Sequence, residues 1–129
     1  MLRVKTSVAT SQIHGLGCFS EEFIKQGTVV WTLDKGIDVE ISASVVDTLP
    51  ELIKEHFVQY GSLENGVYLL CPDDARFMNH SDNANLVLYE VDNLVAARDI
   101  QRKEELTCNY FTFDDIARYN QELLWKVKR

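Results

Sequence analysis

Apolar residues in this chain come in short pieces, of which Val29-Val30-Trp31 and Val67 to Cys71 are among the longest, and turn-forming residues separate them. A helix that crosses a domain needs apolar spacing sustained over about ten residues, and a large sheet needs several long strands. Pieces this short read as short strands. Val, Ile, Thr and aromatic side chains, which favour a pleated half-buried surface, predict strands over Leu2 to Ala9, Cys18 to Ser20, Thr28 to Leu33 and Ile37 to Ile41. They return after Gly61 at Val67 to Cys71, Leu86 to Val91, Leu94 to Ala97 and Leu106 to Asn109, with Asp92-Asn93 as a hairpin turn. Two stretches read otherwise. Ser42 to Tyr60 is a helical insert, in which Thr48 is a candidate cap, Pro50 stands in the first turn and Leu52, Ile53 and Phe57 form an apolar face. From Asp114 to about Val127, Ile116, Tyr119, Leu123 and Val127 recur at near-helical spacing, with acids at the start and bases at the end. The expected class is mostly β, α+β, with a terminal helix.

The chain has 129 residues, 46% of them apolar, which suits one domain able to enclose a modest core. No apolar run approaches the roughly 20 residues that cross a bilayer, and Met1 to Lys5 interleaves charge with apolar residues. A cytoplasmic protein that does not engage a membrane is expected. Cys18, Cys71 and Cys108 are widely spaced beside apolar residues and read as reduced core thiols. Neither CxxC nor HxxxH spacing is present, so no metal is expected. A net charge of −7 argues against a nucleic-acid backbone and toward a basic partner, although such a surface also serves solubility.

Three runs carry candidate chemistry. In Ile13-His-Gly-Leu-Gly-Cys-Phe19, Gly15 and Gly17 leave backbone groups open to a ligand, or simply make a turn; the third glycine and following helix of a dinucleotide fingerprint are missing. In Arg76-Phe-Met-Asn-His-Ser-Asp-Asn-Ala-Asn85, Asn79 and His80 could face a flat heterocycle, because an amide donates and accepts at once. The run also reads as an asparagine-rich turn, with Arg76 paired to Asp73 or Asp74. In Glu104-Glu-Leu-Thr-Cys-Asn-Tyr-Phe111, a charged turn leads into a short strand that ends at Tyr110.

Together, HGLGCF, RFMNHS and EELTxxY, in this order and spacing, resemble the SET-domain family of protein lysine methyltransferases over residues 11 to 111. The resemblance implies a β-clip type fold of short curved sheets with a helical insert, and a C-terminal pseudoknot formed beside the NHS segment. It implies S-adenosylmethionine as cofactor and S-adenosylhomocysteine as product. Gly15, Leu16 and Gly17 would wrap the cofactor, with His14 at its entrance. Asn79 and His80 would hold its adenine and amino-acid ends, and Arg76, Tyr110 and Trp125 are grouped with them. Tyr110 would close the lysine channel, with Tyr60 as a second catalytic tyrosine and Leu88, Phe111 and Phe113 along the channel.

The chain departs from the family in places. Asp82 stands where many eukaryotic members carry a zinc-ligating cysteine after NHS, and no Cys-x-Cys follows Tyr110, so the zinc lid is absent. Phe111, Phe113 and the terminal helix carrying Trp125 are expected to supply the missing wall. Ala84 and Asn109 replace the usual proline and aspartate. A minimal domain of this kind looks more bacterial or viral than chromatin-bound, and dimerisation could complete its substrate groove. Two functional readings follow: transfer of a methyl group to a lysine of a basic protein, or a SET-fold module that binds peptide or cofactor with little turnover.

Overall fold

The computed structural model describes residues 1–123, and among them the strands pair into four small sheets. Strands β1 (Thr6–Thr10) and β2 (Leu16–Ser20) form an antiparallel pair with Thr6 opposite Ser20 and Thr10 opposite Leu16. The predicted strand from Leu2 to Ala9 therefore divides. Leu2 bridges to Trp31 and its N–H donates to Asp73 Oδ2 at 2.7 Å, so the first residues belong to a different neighbour from β1.

β3 (Val29–Thr32) pairs with a later hairpin, described below, and bulges between Val29 and Trp31. Residues Asp34 to Asp38 turn, with the Ile37 and Asp38 N–H groups both donating to Asp34 O, so the next strand, β4 (Val39–Ser42), starts two residues later than predicted. The insert is two helices, α1 (Ala43–Val46) and α2 (Glu51–Tyr60). Thr48 does not cap the second. Its hydroxyl donates back to Val45 O, and Pro50, extended and without a side-chain bond to offer, occupies the capping position. α2 buries Phe57 and Val58.

β5 (Ser62–Glu64) and β6 (Val67–Leu70) follow, with Glu64 opposite Val67. Asn65 and Gly66, at φ 51° and 75°, make the two-residue turn between them. Both sit in the left-handed region that hairpin turns of this length require. β6 lies between β5 and β4. After it, Asp74 to Phe77 make a single 3₁₀ turn capped by Asp73, and β7 (Asn79–His80) begins.

β8 (Leu86–Leu88) and β9 (Asn93–Ala96) form the hairpin that pairs with β3. Leu88 stands opposite Leu94, which leaves residues 89–92 as the turn, with Glu90 and Asp92 at positive φ. The predicted turn at Asp92-Asn93 thus begins three residues too late and runs one residue into β9, and β8 is shorter than expected. β10 (Thr107–Cys108) lies parallel to β7.

α3 (Asp115–Tyr119) is capped by Asp114, whose Oδ1 accepts from Ile116 N at 3.1 Å. The expected continuous helix from Asp114 breaks at Asn120. That residue closes α3 through its own N–H to Ile116 O, and its Oδ1 accepts from Leu123 N to start another turn. Tyr119 is 82% exposed and so is not on an apolar face. Val127 and Trp125 lie outside the described residues.

Two apolar clusters hold the sheets. One contains Ile24, Leu86, Ile100 and Leu106, all essentially fully buried and each contributing about 1.5–3 kcal/mol by burial. The other joins Phe57, Val58 and Tyr68 to Ile116 and Ala117. Tyr110 packs against both. Among the described residues Cys18, Cys71 and Cys108 form no disulfide.

Candidate active site

Two asparagines of the run Arg76 to Asn85 work as clamps. Asn85 is 2% exposed; its Nδ2 donates to Glu105 O at 2.8 Å and its Oδ1 accepts from Thr107 N at 2.9 Å. A buried amide with both ends paired fixes the segment it faces. Here that segment is the one leading to Tyr110. Asn79, also buried, turns its Nδ2 toward His14 O at 3.0 Å, Leu16 O at 3.1 Å and Glu105 Oε2 at 2.9 Å. The loop His14 to Gly17 is thereby tied to β7.

His80 links that group to the tyrosine. Its Nδ1 accepts from Tyr110 N at 3.1 Å, so the ring proton sits on Nε2, which meets Asp82 Oδ1 at 2.8 Å. Its ring lies 5.3 Å from Tyr110 and 5.2 Å from Phe111.

Two glycines shape the loop for different reasons. Gly15, at φ +47°, has nothing within 4 Å of where a Cβ would stand, so its backbone faces open space in a left-handed conformation. At Gly17 a Cβ would come within 2.7 Å of Glu105 Oε2, so the absence of a side chain makes room for a carboxylate.

On the other side of Tyr110 lies a cavity of about 510 Å³. Tyr60, Arg76, Leu88, Tyr110 and Phe113 line it, and the exposed Glu40, Glu64, Glu90 and Asp92 stand at its edge. Tyr60 sits edge-on to Phe77 at 5.9 Å, and the Arg76 guanidinium is 5.7 Å from the Tyr60 ring centre. Arg76 Nε donates to Cys71 O at 3.1 Å. Arg76 thus lies on the cavity wall beside Tyr60, and no ion pair joins it to Asp73 or Asp74, whose carboxylates take Leu2 N and the Thr6 hydroxyl.

The Tyr110 hydroxyl donates to Met78 O at 2.6 Å. Burial above all, reinforced by Cys108, Asp114 and Glu105, pushes its phenol well above the ordinary range. It is a neutral donor at physiological pH.

The structure therefore gathers the predicted residues into two groups that meet at Tyr110. His14, Gly15, Leu16, Gly17, Asn79 and His80 lie together; Tyr60, Arg76, Leu88 and Phe113 surround the cavity. Phe111 is not on the cavity wall. Its ring faces His80 and the second apolar cluster. Trp125, expected at the cofactor, falls outside the described residues. The sequence reading passed over Ser11, Asn85 and Glu105, which hold the loop and the last strand in place; the acid beside Leu106 and the last asparagine of the run were the visible signals.

Fold and site together define a small α+β domain in which a glycine loop and an aromatic cavity meet at one partly buried tyrosine. The family model described as SET domain matches residues 15–111, and the chain belongs to that family. No curated protein matches the chain significantly. Among solved structures it is similar to a Plasmodium falciparum protein named as a candidate histone methyltransferase, with 22% identity and a TM-score of 0.55 over 84% of this chain and 95% of that one. It is also similar to a chain of the Chaetomium thermophilum Polycomb Repressive Complex 2 in an autoinhibited conformation bound to S-adenosylmethionine, with 21% identity and a TM-score of 0.62. That match covers 92% of this chain and only 17% of the other. At these identities the likeness is one of fold.

Proposed function

We propose that this chain transfers a methyl group from S-adenosylmethionine to the ε-amine of a lysine in a basic protein. The observation that carries the reading is the position of Tyr110 between the clamped glycine loop and the acid-edged aromatic cavity. The loop fits such a cofactor. Gly15 faces open space, Leu16 is half exposed, and Asn79 Oδ1 accepts no hydrogen bond among the described residues, leaving an acceptor for an ammonium group. His14, Gly15, Leu16, Gly17, Asn79 and His80 would hold it, and it supplies an electrophilic methyl group on a sulfonium.

The chain's own residues then deal with the amine. A lysine ammonium has no lone pair, and neutralising it at pH 7 from a reference pKa near 10.4 costs about 4.6 kcal/mol. Burial between Tyr60, Tyr110 and Phe113 lowers that cost, since a dry channel favours the uncharged amine. Glu40, Glu64, Glu90 and Asp92 attract the cation to the opening before it is desolvated. A phenol held neutral and bonded to Met78 O is a poor base, so the role assigned to Tyr110 is orientation of the amine along the transfer line.

The test is transfer of labelled methyl from S-adenosylmethionine to proteins of a cell extract, comparing the native chain with Tyr110→Phe. A labelled band with the native chain, reduced at least about tenfold in the variant, is the expected result, tenfold corresponding to about 1.4 kcal/mol. Cofactor binding by calorimetry without any transfer would favour the binding module instead, and equal labelling by both proteins would remove Tyr110 from the site.

A further inference from the structure

Glu105 touches three segments at once. Its carboxylate accepts the Ser11 hydroxyl at 2.7 and 3.0 Å through its two oxygens, and Oε2 also accepts Asn79 Nδ2 at 2.9 Å. The same oxygen occupies the space that a Cβ at residue 17 would need. We propose that Glu105 is a positioning residue for the cofactor, fixing the glycine loop through Ser11 from one end and through Asn79 from the other. The inference rests on the cofactor reading of that loop.

The argument at Ser11 concerns where one proton points. A hydroxyl has one hydrogen and two lone pairs. Donation to a carboxylate turns the hydrogen toward Glu105 and leaves the lone pairs for the loop. Ser11 Oγ accepts from Ile13 N at 2.9 Å and from His14 N at 3.3 Å, while Ser11 N donates to Gly15 O at 2.8 Å. The backbone from residue 11 to 15 is therefore shaped around a hydroxyl that Glu105 orients. At Asn79 the amide offers two hydrogens to three acceptors, the carbonyls of His14 and Leu16 and Glu105 Oε2. A charged acceptor makes the strongest of these bonds and holds the amide in the flip that presents its nitrogen to the loop.

Glutamine at 105 would fill the same space with one oxygen instead of two, so that its NH₂ faces either the NH₂ of Asn79 or the Ser11 hydroxyl oxygen, which already accepts two backbone N–H groups. The decisive comparison is cofactor binding by calorimetry and thermal unfolding of the cofactor-free protein, for the native chain, Glu105→Gln, Ser11→Ala and the double variant. Glu105→Gln is expected to hold the unfolding midpoint near the native value while raising the Kd for S-adenosylmethionine about tenfold or more. Ser11→Ala is expected to raise it about threefold or more, and the loss in the double variant is expected to fall short of the sum of the two single losses, since the carboxylate acts on the loop partly through Ser11. A purely structural role would make affinity follow the midpoint. Affinity of Glu105→Gln within about twofold of native, or a double variant whose losses add, would overturn the inference while leaving the cofactor reading intact. A native chain that binds no S-adenosylmethionine would overturn both. Should Glu105→Gln fail to fold, Ser11→Ala alone decides, because it removes one hydroxyl from a partly exposed position.

Discussion

Tyr60 owes its place on the cavity to the residue after it. A Cβ at Gly61 would stand 2.7 Å from Phe57 O and 2.9 Å from Leu69 O, both backbone atoms that cannot swing aside. Gly61→Ala is therefore expected to destabilise the protein by about 1–3 kcal/mol, the usual cost of overpacking a fixed site. A urea melt would show it as a lower midpoint at unchanged slope, and an unchanged midpoint would refute it. None of this is visible in the sequence, where Gly61 reads only as a helix end. The same limit applies to Asn79 and Glu105. An amide and an acid declare what bonds they can make, but their partners lie far along the chain, at His14, Leu16 and Ser11. Tyr110 was easier to read, because its motif places it at the end of a buried strand, and there the structure puts it.

At the scale of elements, the strands that could be read were those whose own side chains settle the matter. Val67 to Leu70 and Asn93 to Ala96 carry β-branched and apolar residues in succession. β5 was missed because Ser62-Leu-Glu64 offers one apolar residue, although Asn65-Gly66 is the turn pair that marks a hairpin. The terminal helix reads as continuous because the apolar spacing runs across Asn120, a residue able to end one helix and cap the next. What α3 does is fasten the insert. Ile116 packs among Phe57 and Tyr68, Asp114 Oδ1 accepts Leu63 N, and Arg118 Nε donates to Phe111 O at 2.8 Å. Ile116→Ala is expected to cost about 2–5 kcal/mol, as other large-to-small changes in a core do. Thermal unfolding would measure it; a loss under about 0.5 kcal/mol would mean that α3 does not carry this load.

For the whole molecule the thiols predict how stability responds to alkali. Burial, with smaller contributions from neighbouring acids, pushes Cys18 and Cys71 up to about 12 from an ordinary value of 9.0. Burial also raises Tyr68 and Tyr110. The native state therefore keeps protons that the unfolded chain releases. The stabilisation is complete below about pH 9 and is lost as the pH climbs through the interval from about 9 to about 12. Urea midpoints at several pH values across that interval should fall steadily; flat midpoints would contradict the protected thiols.

The pairing of β7 with β10 carries a consequence in time. Asn79 pairs with Thr107 across a stretch of chain that forms its own hairpin and lies against β3. Loop closure of this length precedes any reward from the contact it makes, and domains dominated by such distant pairings fold in milliseconds to seconds rather than microseconds. Tyr110 and His80 stand at that junction. A refolding chain should therefore regain most of its sheet signal before it regains a functioning site, and assays begun too soon after dilution from denaturant would record a folded but idle protein.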